Sequence, residues 1–161
     1  ARTGNVIKSG FYSPGHTIMK IILDKTSLHI SSRKVITGII SLKIGDDNFI
    51  PEKCWNDFIV VVLAAWAANL IYIFDGKNDE VQFPFFDGPF YFVISKNEML
   101  NQVEFFHWDK TIGSYSIDIY EFGHNVVHAC REILLEIYMR KWDSDDVKQL
   151  ELSLKELTDY I

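Results

Sequence analysis

The sequence predicts an α+β fold: a mostly antiparallel sheet of about seven or eight strands, a long buried central helix and two C-terminal helices. Three observations predict it. One apolar run, Phe58 to Phe74, is interrupted only at Asn69 and is too long for a single strand. Period-two alternation fills the stretches before and after that run. Two amphipathic helical patterns close the chain. With 161 residues and no repeat or long linker, residues 1–161 read as a single domain.

Residues 5–45 alternate as strands do. Met19, Ile21 and Leu23 share a face in 17–24, Leu28 and Ile30 in 27–31, and Ile36, Ile40, Leu42 and Ile44 in 34–44. Asp24-Lys25-Thr26 and Ser31-Ser32-Arg33 are short enough for hairpin turns, so a meander of about three or four strands is expected. Gly45-Asp46-Asp47-Asn48 breaks the last strand. The central helix is then expected to start at Pro51, which suits a first helical position, with Glu52 at the positive end of the dipole and Asp75-Gly76 as the stop. Trp55, Phe58, Ile59, Val62, Trp66, Leu70 and Ile73 form its bulky stripe, and alanines lie opposite. A helix apolar all round is buried or spans a membrane. This run reaches roughly 25 Å, short of the ~30 Å hydrocarbon core, and no basic cluster marks one end, so burial is the expectation.

Residues 81–86 and 90–96 read as strands joined by Asp87-Gly88-Pro89, with Pro84 marking an edge strand or a bulge. Strands at 101–108 and 114–122 follow around a hairpin loop, and Gly123 is expected to end the sheet. In 124–142, Val126, Val127, Cys130, Ile133, Leu134, Ile137, Tyr138 and Trp142 form a helical stripe. In 145–161, Val147, Leu150, Leu154, Leu157 and Ile161 make a narrower seam, capped by Asp143 or Ser144.

Net charge is −6 with pI near 5.3, and Lys and Arg are scattered. That argues against a nucleic-acid partner and fits a basic one. Cys54 and Cys130 make no disulfide framework and each is expected to pack in a helix, which fits a cytoplasmic setting. No GxSxG, Walker loop or GxGxxG is present, so no enzyme activity and no cofactor are expected. His124 and His128 stand one helical turn apart, half of a zinc site, but no third ligand is placed by spacing; capping or packing is the competing reading. His107 near Glu104, and Cys54 with a distant histidine, are weak acid–base or nucleophile pairs, set against structural roles. Asn69, expected among Trp66, Leu70 and Ile73, needs a hydrogen-bond partner. A pocket beside the central helix holding Asn69, Cys54 or His107 would make the chain a small-ligand-binding or hydrolytic domain.

The more informative constellation mixes acids with aromatics. If Val103, Phe105, Ile117 and Ile119 face the core, then Glu104, Phe106 and Trp108, with Asp118 and Tyr120, lie on the opposite sheet face and suit a basic protein surface. The competing reading covers that face with the C-terminal helices. Asp46, Asp47, Asp75, Asp79 and Glu80 are expected to bracket the central helix at its two ends, as partner contacts or as solvated loop charges.

Two segments carry a resemblance: CWNDFIVVVLAAW (54–66) and VQFPFFDGPFYFVI (81–94). Together they resemble immunity proteins of bacterial toxin–immunity systems, including contact-dependent growth inhibition. The likeness covers residues 54–94; the N-terminal strands and the last helix carry no matching motif. Trp55, Asn56, Asp57 and Phe58 on one side and Asp87, Gly88 and Pro89 on the other are its marks, and they are fold-like rather than catalytic. The resemblance implies a non-enzymatic cytoplasmic protein that binds and neutralises a cognate toxin domain. A nuclease toxin would present a basic surface to it. The charge, the length of the apolar run and the incomplete histidine set lead to the expectation of no nucleic acid, no membrane and no metal, and the resemblance assigns no contact residues.

Overall fold

A computed structural model describes residues 16–96 and 101–161. The elements are β1 (Met19–Ile30), β2 (Ile36–Ile44), β3 (Asn48–Ile50), β4 (Asn56–Asp57), α1 (Ile59–Phe74), β5 (Glu80–Pro84), β6 (Phe90–Lys96), β7 (Asn101–His107), β8 (Lys110–Ile117), α2 (Ile119–Met139) and α3 (Asp145–Thr158). The fold is α+β. Its strands form two antiparallel four-stranded sheets, not one sheet of seven or eight. In the first sheet β2 pairs with β1 on one side and with β3 and β4 on the other. In the second the order is β5-β6-β7-β8.

Both outer edges of the second sheet are engaged. On β5, the Trp66 Nε1–H donates to Pro84 O at 2.8 Å and Asn69 Nδ2 donates to Gln82 O at 2.9 Å. Those two carbonyls point away from β6, and α1 covers them. Pro84 has no N–H to leave unpaired on that edge, which is why an edge strand tolerates it. At the other edge Thr17 N donates to Ser116 O at 2.6 Å, and Asn48 Nδ2 reaches the Tyr115 hydroxyl.

Residues 19–30 form one strand rather than two. Asp24-Lys25-Thr26 makes no hairpin turn; the register slips between Asp24 and His29 in a bulge. Inside it the Ser27 hydroxyl donates to Asp24 O and accepts from Ile39 N, replacing a ladder bond. The turn comes at 31–35, where Ser31 N donates to Val35 O. The strand expectation for residues 5–15 lies outside the described residues.

Helix α1 begins at Ile59, not at Pro51. Residues 51–58 are drawn into tertiary pairing instead. Ile40 N donates to Trp55 O, and Asn56 and Asp57 pair with Ile39 and Gly38. Cys54 is therefore exposed in a loop rather than packed in a helix. Helix α1 contacts β2, β5, α2 and α3, and Trp66, Leu63, Ala67 and Leu70 have no exposed surface. No helix among the described residues is long and apolar enough to cross a membrane.

Strand β8 ends at Ile117, and Gly123 lies buried inside α2 against the Phe74 ring. Asp118 ends the strand because its carboxylate caps α2, accepting from Tyr120 N and Glu121 N. The expected stripe of α2, Val126 to Ile137, is buried, whereas Tyr138 is half exposed. Ser144 caps α3 by accepting from Val147 N. Arg140 fastens the end of α2 to the β1 bulge, donating to Leu28 O and Lys25 O at 3.0 Å each while its guanidinium lies over Trp142.

The core is strongly aromatic. Trp66 packs edge-on against Phe85 and Phe92, and Phe83, Phe92 and Phe122 close around it. Such ring pairs add about 0.5–1.5 kcal/mol each beyond burial.

Candidate functional site

The second sheet has two unlike faces. Phe83, Phe92, Ile94, Val103 and Phe105 point inward with no exposed surface. Their alternate neighbours point outward: Glu80 and Gln82 on β5, Tyr91 and Val93 on β6, Glu104 and Phe106 on β7. Among the described residues none of these outward side chains is buried. Tyr91 and Phe106 are directly opposite across the ladder and stack, with centroids 4.8 Å apart and planes 9° from parallel. Glu104 accepts from the Thr111 hydroxyl at 2.9 Å, which fixes its carboxylate beside that stack. Glu80 accepts from Ser95 on the same face.

Trp108 ends this face. It sits in the turn between β7 and β8, 70% exposed, with φ +57°. Its N–H donates to Pro89 O at 2.8 Å, so the turn leans on the β5–β6 hairpin. Between them runs a shallow groove of about 320 Å³ lined by Pro84, Pro89, Tyr91, Trp108 and Asp109 among others. A left-handed backbone is rarely adopted by a bulky residue and costs roughly 1–2 kcal/mol. Here the indole gains little burial to offset that cost.

The resemblance motifs meet beneath this groove. Asp57 is 1% exposed and its carboxylate gathers three donors: Trp55 Nε1–H at 2.8 Å, Phe58 N–H at 2.7 Å and Phe86 N–H at 3.1 Å. The Trp55 ring packs edge-on to Phe90 at 5.4 Å and lies over Gly88, where a Cβ would come within 2.8 Å of it. The segment that opens α1 and the Asp-Gly-Pro turn are thus one unit, and that unit supports the Trp108 end of the sheet.

The expected site residues divide. Glu80, Glu104, Phe106 and Trp108 share the outer face of the second sheet. Asp118 and Tyr120 do not lie there: Asp118 is the α2 cap, and Tyr120 on α2 stacks on Phe74 at 5.1 Å. A strand that stops at Ile117 cannot carry them across the sheet. Asp46 and Asp47 lie in the turn between β2 and β3, away from the start of α1, because the helix begins later than expected. Asp75 caps the C-terminus of α1 and pairs with Lys77 at 3.4 Å, and Asp79 precedes β5. Sequence reasoning missed Tyr91 and Val93. The inward alternation of Phe92 and Ile94 was the signal that places them outward.

The alternative sites are scattered. Asn69 is engaged with Gln82 O, and His107 stacks on Phe90 at 4.6 Å. His128 is exposed and pairs with Glu132 at 2.9 Å along α2. Among the described residues no three His, Cys, Asp or Glu side chains are placed to hold a metal ion. Burial pushes the Cys130 thiol up to about 12, so it stays protonated. No family model, curated protein or solved structure matches the chain.

Proposed function

We propose that the chain is a non-enzymatic immunity protein that binds a cognate toxin domain with a basic surface, such as a nuclease domain, in the bacterial cytoplasm. The observation that carries this reading is the outer face of the second sheet, on which none of the outward side chains is buried among the described residues. It presents the Tyr91–Phe106 stack, the exposed Trp108 indole and the Glu104 and Glu80 carboxylates together. Exposed aromatics rimmed by charge are the composition of a protein-binding patch. Net charge −6 complements a basic partner. The motif likeness across residues 54–94 supports the immunity role.

The test is co-purification with the product of the adjacent gene, followed by titration. Stoichiometric binding and loss of toxin activity are expected. Trp108→Gly should weaken binding by about 2 kcal/mol, as truncation of an interface tryptophan does. The same change should leave stability equal or raised by about 0.5–1 kcal/mol, since glycine accepts the positive φ. An adjacent gene that encodes no toxin, with no basic domain captured, overturns the proposal.

A further inference from the structure

The edge of β1 away from β2 faces a slot of about 420 Å³ whose far wall is α2. Gly45 N donates to Ile18 O, so Ile18, Lys20 and Ile22 turn their backbone groups toward β2, and the alternate residues Met19, Ile21 and Leu23 turn theirs outward. The Asn125 side chain donates to Met19 O at 3.0 Å, which ties α2 to this edge at one end. Beyond it, no group among the described residues pairs with the outward N–H and C=O of Ile21 and Leu23. Across the slot α2 presents Glu121, 4.0 Å from the His16 imidazole, and Glu132, 2.9 Å from that of His128. A strand edge normally pairs, is covered or is blunted. Among the described residues nothing pairs with this one beyond Asn125, and it lies beside a polar wall.

We infer that the slot between β1 and α2 binds one extended segment of a basic protein chain, which adds to β1 as a strand. The pattern of that segment follows from the pleat. Side chains on the face shared with Met19, Ile21 and Leu23 meet α2, where two carboxylates favour lysine or arginine. Side chains on the other face lie beside Ile18, Lys20 and Ile22 and favour apolar or β-branched residues. The partner strand therefore alternates basic with apolar positions. A second copy of β1 fits less well. It would bring its own α2, with Glu121 and Glu132, against the same carboxylates. This site is on the other sheet from the Trp108 face and does not depend on the immunity role.

The experiment is amide hydrogen exchange on the full chain, alone and with a short acetylated peptide alternating lysine with valine. In the free chain Ile21 and Leu23 should exchange fast and Ile22, which faces β2, slowly. The lysine–valine peptide should protect Ile21 and Leu23. A glutamate–valine peptide, or the lysine peptide N-methylated on its pairing edge, should not. Removing one carboxylate, Glu121→Gln or Glu132→Gln, should weaken the peptide about fivefold. Protection already present in the free chain overturns the inference: if independent of concentration the chain's own residues fill the slot, and if it grows with concentration a second copy does. Equal protection by the glutamate peptide, or none by the lysine peptide, overturns it as well. A toxin domain that binds stoichiometrically without protecting either amide would leave the immunity role standing and show that its contact lies elsewhere.

Discussion

Asp57 shows how one side chain holds two distant segments in place. Its carboxylate is buried, yet each oxygen is satisfied, because Trp55, Phe58 and Phe86 all aim N–H groups at it. Removing the acceptor takes the partner from three part-buried donors, at roughly 1–3 kcal/mol where burial keeps water out and least at Phe86, which is 45% exposed. Asp57→Ala should therefore lower unfolding free energy by about 3 kcal/mol, read as a fall in the urea midpoint. Asp57→Asn keeps the shape but sets an NH2 group against incoming donors, and should cost about 2 kcal/mol. A loss below about 1 kcal/mol for both variants would mean that the carboxylate does not join these segments. The same three donors explain why Trp55-Asn-Asp57 and Asp87-Gly-Pro89 occur together: the first segment cannot sit as it does without the second.

Among the elements, α2 and α3 are joined at their solvent side by Tyr138, whose hydroxyl donates to Glu151. That bond favours the neutral phenol, and with the nearby carboxylate charge it pushes the Tyr138 pKa up to about 12 from its ordinary value near 10. The folded value is the higher one, so the stabilisation is complete below about pH 10 and is lost as pH rises toward 12. Tyr138→Phe should be slightly less stable at neutral pH. The gap between it and the parent should close between about pH 10 and 12, measured by denaturation at each pH. The phenol is half exposed, so the effect is small. Element identity was legible wherever periodicity had length. The buried stripe of β2, the inward alternation of β6 and β7, and the seams of α2 and α3 all follow the sequence pattern. Boundaries were lost where one side chain decided them. Asp118 with Glu121 three residues later carried a helix-start signal, but the alternation of Ile117 and Ile119 read as continued strand. Pro51 and Glu52 carried a helix-start signal too, and there a long-range pairing with β2 prevailed. The same errors decided the site: Glu104 and Phe106 were legible from strand parity, Trp108 lies in the turn beyond the strand where parity does not place it, and Asp118 and Tyr120 were misplaced with the strand end.

For the whole molecule the decisive property is where charge and apolar surface sit relative to the two sheets. Splitting eight described strands into two sheets leaves the outer face of the second without a covering element among the described residues, since α1 packs against β5 and the aromatic core fills the inner side. The net −6 field extends beyond that face, while Glu104 lies within it, and the two should act on different steps of binding. Distant charge steers encounter and is screened over about 8 Å at physiological salt; contact charge governs how long the complex lasts. The association rate with a basic toxin domain should accordingly fall about tenfold or more between low and physiological ionic strength. Asp46→Lys with Asp47→Lys, in a turn of the other sheet, should slow association and leave dissociation unchanged. Glu104→Lys should also speed dissociation, because it sets a cation against a basic surface at contact distance. Stopped-flow rates at several salt concentrations separate these effects. If Glu104→Lys and the Asp46, Asp47 pair alter only association, and equally, then the outer face of the second sheet is not where the partner rests.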